Sequence, residues 1–288
     1  MTNRTTSAAE GYNFAYLDEE TKRMIRRGLL KAVAIPGFQV PFGGREMPLP
    51  YGWGTGGMQV TAAILSPEDI LKVIDQGADD TTNAVSIRAF FERTARVATT
   101  TRTGEATIIQ TRHRIPETPL KSGQIMVFQV PIPEPLRFIE PSETETATLH
   151  ALADYGVMHV KLYEDIVAHG HIATCYAYPV EVGDRYMMDP SPIPRFDNPK
   201  LHMNPALMLF GAGREKRLYA VPPYTKVVSI DFEDYPFEAQ RQEGVCAICG
   251  SANTYLDELI MDDQGTRNYV CSDTDYCQEH AQPSGSRP

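Results

Sequence analysis

The pattern of apolar and polar positions predicts an amphipathic helix early in the chain. The positions that recur at the three-to-four-residue spacing of one helix face are Met24, Ile25, Leu29, Ala32 and Val33. Asp18 precedes this run as a candidate N-cap, and Glu19 and Glu20 suit the positive end of a helix. Pro36 is expected to end the helix, because proline cannot continue the backbone hydrogen-bond ladder.

Capping and turn signals predict the other elements. The expected helices cover residues 66–77, 83–97, 142–155, 157–169 and 204–211; three of them open on Ser66-Pro67, the Ser142 and Glu145 capping box, and Asn204-Pro205. The expected strands cover residues 107–110, 125–130, 172–182, 185–188, 217–221, 226–232, 255–259 and 267–270. There is no internal repeat and no regular strand–helix alternation, so the pattern favours an α+β fold of mixed helices and short strands with many irregular connections.

Composition narrows the function classes. The chain has 288 residues, 42% of them hydrophobic, which is enough to build a sizeable core. Its net charge of −10 would repel DNA or an anionic membrane unless a basic face is segregated from the rest. No apolar run approaches the roughly 20 residues of a membrane span, and the polar first ten residues do not resemble a secretory signal. We therefore expect a cytoplasmic protein with reduced thiols.

Four of the five cysteines lie near the end of the chain. Cys246, Cys249, Cys271 and Cys277 form a Cys-x2-Cys-x21-Cys-x5-Cys array, which is a strong signal for a metal site. Spacing alone favours structural zinc held by all four thiolates. A division of three ligands and one separate thiol is also open, because the polar residues 272–275 suit a turn before Cys277. The fifth cysteine, Cys175, is expected to be a buried, inert thiol in an apolar run.

Three other features suggest anion or metal binding. The glycine-rich residues 51–57, including Gly52 and Gly54, could present backbone N–H groups to a phosphate, although a plain turn explains them equally well. Arg45 and Arg112 are candidates for a bidentate grip on phosphate. His113 is a candidate ligand for a second metal, with an ordinary hydrogen-bonded histidine as the alternative.

Long motifs carry a resemblance to a known family. They are residues 11–17 (GYNFAYL), 34–47 (AIPGFQVPFGGREM), 51–57 (YGWGTGG), 76–83 (QGADDTTN), 111–117 (TRHRIPE), 188–194 (MDPSPIP) and the cysteine array. With these motifs the sequence resembles the PhnJ family, the radical subunits of bacterial carbon–phosphorus lyase, over nearly the whole chain. The resemblance implies the cleavage of α-D-ribose 1-methylphosphonate 5-phosphate to methane and α-D-ribose 1,2-cyclic phosphate 5-phosphate.

The resemblance also implies a division of roles among the cysteines. Cys246, Cys249 and Cys271 would hold a [4Fe–4S] cluster whose open iron binds S-adenosyl-L-methionine. A 5′-deoxyadenosyl radical would take a hydrogen from the Cα of Gly37, and the glycyl radical would then make a thiyl radical on Cys277 that attacks phosphorus. Zinc is expected at His113, or in place of the cluster in an aerobic preparation.

The same resemblance implies a hetero-oligomer. The expected partners are PhnG, PhnH, PhnI and the ATP-binding PhnK subunit. The expected organisation is a disordered tail (1–10), an α+β core (11–240) with a partner-docking element (131–169), a cluster-binding segment (241–280) and a second tail (281–288). A TIM barrel built after the cysteines is excluded, because only 11 residues follow Cys277.

Two other classes of protein stay open at this stage. One is a zinc-ribbon structural subunit of a multiprotein phosphonate-metabolism complex, in which all four cysteines bind zinc. The other is a zinc-dependent hydrolase that uses His113 and the cysteines. Both would work without S-adenosyl-L-methionine, which separates them from the radical enzyme.

Overall fold

A computed structural model describes residues 17–44, 47, 53, 56–130, 136, 139–152, 154–169, 180–188, 195–213, 216–229 and 244–281. The predicted tail at 1–10, most of the tail at 281–288, and Arg45, Gly52, Gly54 and Cys175 lie outside the described residues. The helices are α1 (Glu19–Ala34), α2 (Gly56–Ile64), α3 (Thr82–Ala95), α4 (Glu143–Leu152), α5 (Gly156–His169) and α6 (Thr274–His280), with a 3-10 helix at Arg195–Leu201.

The strands form three sheets. They are β1 (Val40–Pro41), β2 (Ile70–Ile74), β3 (Ala98–Thr99), β4 (Ile108–Thr111), β5 (Ile125–Gln129), β6 (Val180–Val182), β7 (Tyr186–Met188), β8 (Leu207–Ala212), β9 (Arg217–Val221), β10 (Val227–Ser229), β11 (Leu256–Ile260) and β12 (Arg267–Cys271). The main sheet has the order β1-β9-β8-β5-β4-β2-β3, and two smaller sheets have the orders β10-β6-β7 and β11-β12.

The centre of the main sheet is parallel. β3, β2, β4, β5 and β8 run in one direction, and β9 is antiparallel to both of its neighbours, β8 and β1. The carboxyl ends of the parallel strands therefore meet at one edge, which we call the carboxyl edge. This architecture confirms a mixture of helices and strands, and the described residues contain no closed barrel. The parallel arrangement itself was not predicted.

Burial on both faces explains why the central strands are mostly apolar. On one face α1, α2 and α3 pack against the sheet, burying Ile25, Met58 and Phe91 completely. On the other face Phe128 and Phe210 lead a second buried cluster that reaches β6 and β10. Within the described part of the chain, no helix has the length and apolar character needed to cross a membrane.

The first predicted helix is confirmed, with its cap. The Asp18 carboxylate accepts a hydrogen bond from Thr21 N at 2.9 Å, and Ile25, Leu29 and Ala32 form the buried face. The helix predicted over 83–97 is confirmed as α3, but its N-cap is Thr81, whereas Thr82 or Asn83 was the expected cap. The strands predicted on either side of residues 182–184 and the two predicted between Cys249 and Cys271 are also present, and each pair forms an antiparallel hairpin, β6–β7 and β11–β12.

Two predicted helices are wrong, because their capping residues form turns that lead into strands. Ser66 N donates to the Asp69 carboxylate at 2.8 Å, and β2 follows this turn instead of a helix over 66–77. Asn204 accepts from Ala206 N at 2.9 Å, and β8 occupies most of the helix predicted over 204–211. Short polar side chains stabilise both helix starts and turns, so the signal is shared.

A helix that the sequence did not predict, α2, begins inside the glycine-rich stretch. All but one of its residues are buried, and its first turn lies directly on β8 and β5. A Cβ at Gly56 would overlap the backbone of Gly211 and Gly213, and one at Gly57 would come within 2.7 Å of Gln129 Cβ. The glycines here permit close packing of helix on sheet.

Candidate metal centre and its docking on the sheet

The structure brings the four C-terminal cysteines into one cluster. Their sulfur atoms all lie within 4.8 Å of one another. Cys246 Sγ is 3.6 Å from Cys277 Sγ, and Cys249 Sγ is 3.4 Å from Cys271 Sγ. Cys249 is half-buried and the other three are buried. The arrangement confirms that the array can form a metal site.

Local structure positions each thiol. A tight loop carries Cys246 and Cys249, closed by Gly250 N donating to Cys246 O at 2.9 Å and by the positive φ of Gly250 (76°). Cys271 ends β12, where it pairs with Leu256 of β11. The hairpin thus presents its last cysteine beside the loop of the first two.

Cys277 is carried by a short helix that the sequence did not predict. The polar residues 272–275 were expected to form a turn, but Asp273 is the N-cap of α6, accepting from Tyr276 N at 3.0 Å. Cys277 N in turn donates to Asp273 O at 3.0 Å, one helical turn along. Aspartate suits a helix N-cap and a turn equally well, because its side chain accepts hydrogen bonds from nearby backbone N–H groups in both. The sequence pattern therefore did not distinguish the seven-residue helix from a turn.

The thiols differ in acidity. Burial would raise the pKa of Cys246, but the backbone N–H groups of Cys249, Ile248 and Cys271 outweigh burial and lower that pKa to about 6. Burial, followed by the neighbouring Cys246 and Cys249, raises the pKa of Cys277 to about 12. Burial likewise raises the pKa of Cys271. One thiolate forms readily, and further thiolates at this distance need a cation to offset their mutual repulsion.

The donor set fits a thiophilic metal. Four thiolates at about 2.3 Å from one tetrahedral ion lie roughly 3.8 Å apart. Two sulfur pairs here are 3.4 and 3.6 Å apart, and all four sulfurs lie within 4.8 Å of one another. Thiolates are equally the ligands of iron–sulfur clusters. The sulfur positions match one shared ion more closely than a cluster. The thiolates of a cluster bind different iron atoms and therefore lie farther apart than thiolates on a single ion. In this structure Cys277 lies with the other three cysteines and is not held apart.

Charged residues at the carboxyl edge contact the cysteine-bearing elements. Thr274 Oγ1, in the first turn of α6, donates to Asp79 Oδ1 at 2.7 Å. The backbone N–H of Tyr255 donates to Glu117 Oε1 at 3.3 Å, and Glu117 N donates to the Asp273 carboxylate at 3.3 Å. Sequence reasoning did not select Asp79 or Glu117, although the motifs at 76–83 and 111–117 contain them.

Arg112 and His113 follow β4 at the same edge. In the main sheet β3 and β4 lie on opposite sides of β2, so the strand order reverses between β2 and β4. Open α/β sheets bind ligands at such a reversal, beyond the carboxyl ends of the strands. Arg112 pairs with Asp75 through two contacts, Nε–Oδ1 at 2.5 Å and Nη2–Oδ2 at 3.0 Å. One edge of its guanidinium is thereby engaged inside the protein.

His113 is half-buried in a strained loop. Its φ is 74°, an unusual value for a residue with a side chain. Burial lowers the pKa of His113 and Arg112 lowers it further, while Asp75 acts in the opposite direction. A neutral imidazole can bind a metal, but His113 belongs to no group of three or more metal-ligating side chains among the described residues.

Gly37 lies in a turn before β1, away from the cysteine-bearing elements. Its N–H donates to Ala220 O of β9 at 2.9 Å, and its φ is 78°. Gly37 precedes β1, so it lies toward the amino ends of the parallel strands, and β9, β8 and β5 separate it from β4. The structure does not bring Gly37 and Cys277 together.

Comparison with known proteins gives consistent matches over nearly the full length. A family model described as "Phosphonate metabolism protein PhnJ" matches residues 10–283. A protein from Rhizobium meliloti (strain 1021), named alpha-D-ribose 1-methylphosphonate 5-phosphate C-P-lyase, is 73% identical over 268 residues, covering 93% of this chain and 90% of the relative. A protein of the same name from Escherichia coli (strain K12) is 72% identical over 272 residues, covering 94% of this chain and 97% of the relative.

Proposed function

This chain belongs to the PhnJ family, and from that membership we propose that it is a carbon–phosphorus lyase. The proposed substrate is α-D-ribose 1-methylphosphonate 5-phosphate, and the proposed products are methane and α-D-ribose 1,2-cyclic phosphate 5-phosphate. The observation that carries this proposal is the near-full-length identity to two relatives that bear the lyase name. The clustered thiols support it, because they can hold the metal group on which such chemistry depends.

Cys246, Cys249 and Cys271 are the proposed holders of a [4Fe–4S] cluster. When bound, the cluster and S-adenosyl-L-methionine would supply a radical able to remove a hydrogen atom. The lowered pKa of Cys246 supports its role as a ligand, since a ligating cysteine must be a thiolate.

Gly37 and Cys277 are the proposed catalytic residues. Gly37 would give up a Cα hydrogen, and glycine suits this role because no Cβ hinders the approach. The glycine radical would then take the hydrogen atom of the Cys277 thiol. The sulfur radical would bond to phosphorus as the alkyl group leaves as a radical. The alkyl radical would take the Cα hydrogen atom of Gly37 to become the alkane, which regenerates the glycine radical. The substrate's own 2-hydroxyl would finally displace sulfur and close the cyclic phosphate.

This mechanism requires two rearrangements. The sulfur atoms of Cys246 and Cys277, 3.6 Å apart in the structure, must separate, and a shift of the loop that carries Cys246 would do this while α6 keeps its place. Gly37 must also approach the cysteines from its position beside β9. Closure by partner subunits would supply both movements, and PhnG, PhnH, PhnI and PhnK are the proposed partners.

A partner surface is proposed on residues 131–169. Several large apolar side chains of α4 and α5 are exposed there, including Leu152 (71% exposed), Val160 (58%) and Val167 (65%). Solvent contact of this extent is unusual for adjacent helices unless another chain covers them.

The proposed contacts to substrate phosphate are Arg45, Gly52, Gly54 and Arg112. Arg112 lies at the carboxyl edge, where its engagement with Asp75 would orient it. His113, the next residue, is the proposed ligand for a second metal ion such as zinc. A substrate bound at the carboxyl edge would lie at the same edge of the sheet as the elements that carry the cysteines.

The sulfur positions favour a second candidate function. Four thiolates within 4.8 Å suit one zinc ion, which would make the segment a structural zinc site in a phosphonate-metabolism complex. In that case Cys277 would be a permanent ligand and could not attack phosphorus.

Anaerobic reconstitution with iron and sulfide, followed by the partner subunits, reductant, S-adenosyl-L-methionine and α-D-ribose 1-methylphosphonate 5-phosphate, separates the two functions. The lyase is expected to take up iron and sulfide and to form 5′-deoxyadenosine and methane. C277A is expected to abolish methane but to spare 5′-deoxyadenosine, whereas C175A, which removes a cysteine outside the array, should leave both unchanged. Methane from C277A would contradict the role of Cys277, and a failure to take up iron and sulfide would favour the zinc site.

A further inference from the structure

The cysteine segment, residues 244–281, contacts the core through polar groups. Its apolar residues form a cluster of their own, which consists of Cys246, Cys249, Leu256, Tyr269, Val270, Cys271, Tyr276 and Cys277 and contains no residue of the core clusters. The contacts described between segment and core are hydrogen bonds, an ion pair and a cation–π contact. Several of these contacts use single side chains that can be changed one at a time.

Asp79 is the first of these side chains. Its Oδ1 accepts from Thr274 Oγ1 at 2.7 Å, and its Oδ2 pairs with Lys72 Nζ at 2.8 Å. Lys72 is fully buried and also lies 3.9 Å from Asp275 of α6. A buried ammonium group needs nearby counter-charges, so Lys72 favours a position of α6 in which both carboxylates face it.

Glu117 is the second. Its carboxylate accepts from Tyr255 N at the start of the hairpin, and its own N–H donates to Asp273, the N-cap of α6, each at 3.3 Å. Arg114 pairs with the Glu117 carboxylate, and its guanidinium carbon lies 3.9 Å from the centre of the Tyr255 ring. Glu117 thus contacts both the hairpin and the helix.

We propose that Asp79 and Glu117 are positioning residues that fix Cys277 at the carboxyl edge through the first turn of α6. Both contact residues 273–274, and Cys277 lies one turn further along the same helix. No hydrogen bond joins either carboxylate to a cysteine sulfur among the described contacts, so metal loading and thiol position are separable. The catalytic consequence rests on the proposed function, whereas the docking does not.

Amide hydrogen exchange of the full-length, metal-loaded chain tests the docking. T274V keeps the shape of the side chain but removes the hydroxyl, and T274S keeps the hydroxyl. We expect exchange in α6 and the β11–β12 hairpin to rise about tenfold in T274V, as loss of a hydrogen bond to a charged group implies, and to stay at the wild-type rate in T274S. T94V is the matched control, because Thr94 Oγ1 donates to Phe90 O within α3 at 2.8 Å.

Three results would overturn the proposal. They are unchanged exchange in T274V, an equal rise in T274S, and an equal rise in the cysteine segment of T94V. D79N gives an independent measurement, because it changes the residue of the core that accepts the hydrogen bond from Thr274. It is expected to raise amide exchange in α6 and the β11–β12 hairpin as T274V does.

The anaerobic assay tests the catalytic consequence. T274V is expected to lower kcat for methane about tenfold, with the metal-to-protein ratio and 5′-deoxyadenosine yield of wild type, and T274S to restore kcat. Wild-type kcat in T274V would refute positioning of the thiol. If wild type makes no methane even with the partner subunits and substrate present, the proposed function fails, and the exchange measurement still decides the docking.

Discussion

At the scale of single residues, charge controls what the cysteine cluster can bind. Cys246 has its pKa lowered to about 6, whereas burial and neighbouring thiols raise the pKa of Cys277 to about 12. Near neutral pH the metal-free cluster therefore holds a thiolate at Cys246 and a protonated thiol at Cys277. A metal that uses Cys277 must displace its proton, whereas one that leaves Cys277 out need not.

Proton release distinguishes these two modes of binding. Metal binding near neutral pH is expected to release a proton from Cys271, and a further one from Cys277 if Cys277 is a ligand, so affinity should rise as pH rises. Calorimetric titration in buffers of different ionisation enthalpy counts these protons. C277S should release about one fewer if Cys277 is a ligand. S272A, which changes a neighbour without a titratable group, should match wild type, and equal counts in C277S would place Cys277 outside the metal shell.

At the scale of secondary structure, caps and close contacts decide where helices begin. Thr81 Oγ1 accepts from Ala84 N at 3.1 Å and starts α3. T81A is expected to lower the free energy of unfolding by about 1 kcal/mol, because the helix loses the acceptor for one of its first N–H groups. Chemical denaturation measures this change, and T81S, which keeps the hydroxyl, should lie close to wild type. Equal losses in both variants would contradict a capping role.

The contact of α2 with β8 gives a second prediction at this scale. G56A is expected to destabilise the chain by roughly 3 kcal/mol, because the new Cβ would overlap the backbone of β8. G28A is the matched control in α1: its Cβ would make ordinary contacts at 3.4 Å with Leu218 and Phe42, so stabilisation by about 0.5 kcal/mol is expected. Denaturation midpoints that shift equally in both would show that α2 can move away from the sheet.

Sequence patterns predicted elements whose signals are local. The cap of α1 at Asp18 and the hairpin in the cysteine region depend on neighbouring residues, and both are confirmed. β8 is a central strand whose register depends on β5 and β9, and no local pattern outweighed the helix-like Asn204-Pro205 start. α2 was missed because its glycines serve packing against distant strands.

The candidate site shows the same difference between features with a local sequence signal and features that depend on distant residues. The clustering of the four cysteines follows from their spacing and is confirmed. The docking residues Asp79 and Glu117 could not be selected from the sequence, because their partners lie 195 and 138 residues away along the chain. The sequence pattern suggested Arg112 as a phosphate ligand but did not indicate its ion pair with Asp75, which follows the neighbouring strand β2.

At the scale of the whole molecule, the cysteine segment is a small unit attached to a large core. The segment is shorter than the roughly 40 residues below which chains usually need a metal or disulfide to stay folded. Chelation of the metal is therefore expected to raise amide exchange across residues 246–277 while β5 stays protected, because the core clusters do not include the segment. Restoring the metal should reverse the change. Persistent protection after chelation would show that the segment folds without metal.

The pairing of β1 with β9 has a consequence for synthesis on the ribosome. Val40 pairs with Leu218, so the first strand finds its neighbour only after about 180 more residues have been translated. At usual translation speeds that interval lasts roughly 10 to 40 seconds. Throughout it, α1 of the nascent chain can pack against α2 but lacks β9, which packs against it in the folded protein. Part of the apolar face of α1 therefore stays without its sheet partner for that interval, and slower translation would lengthen the exposure.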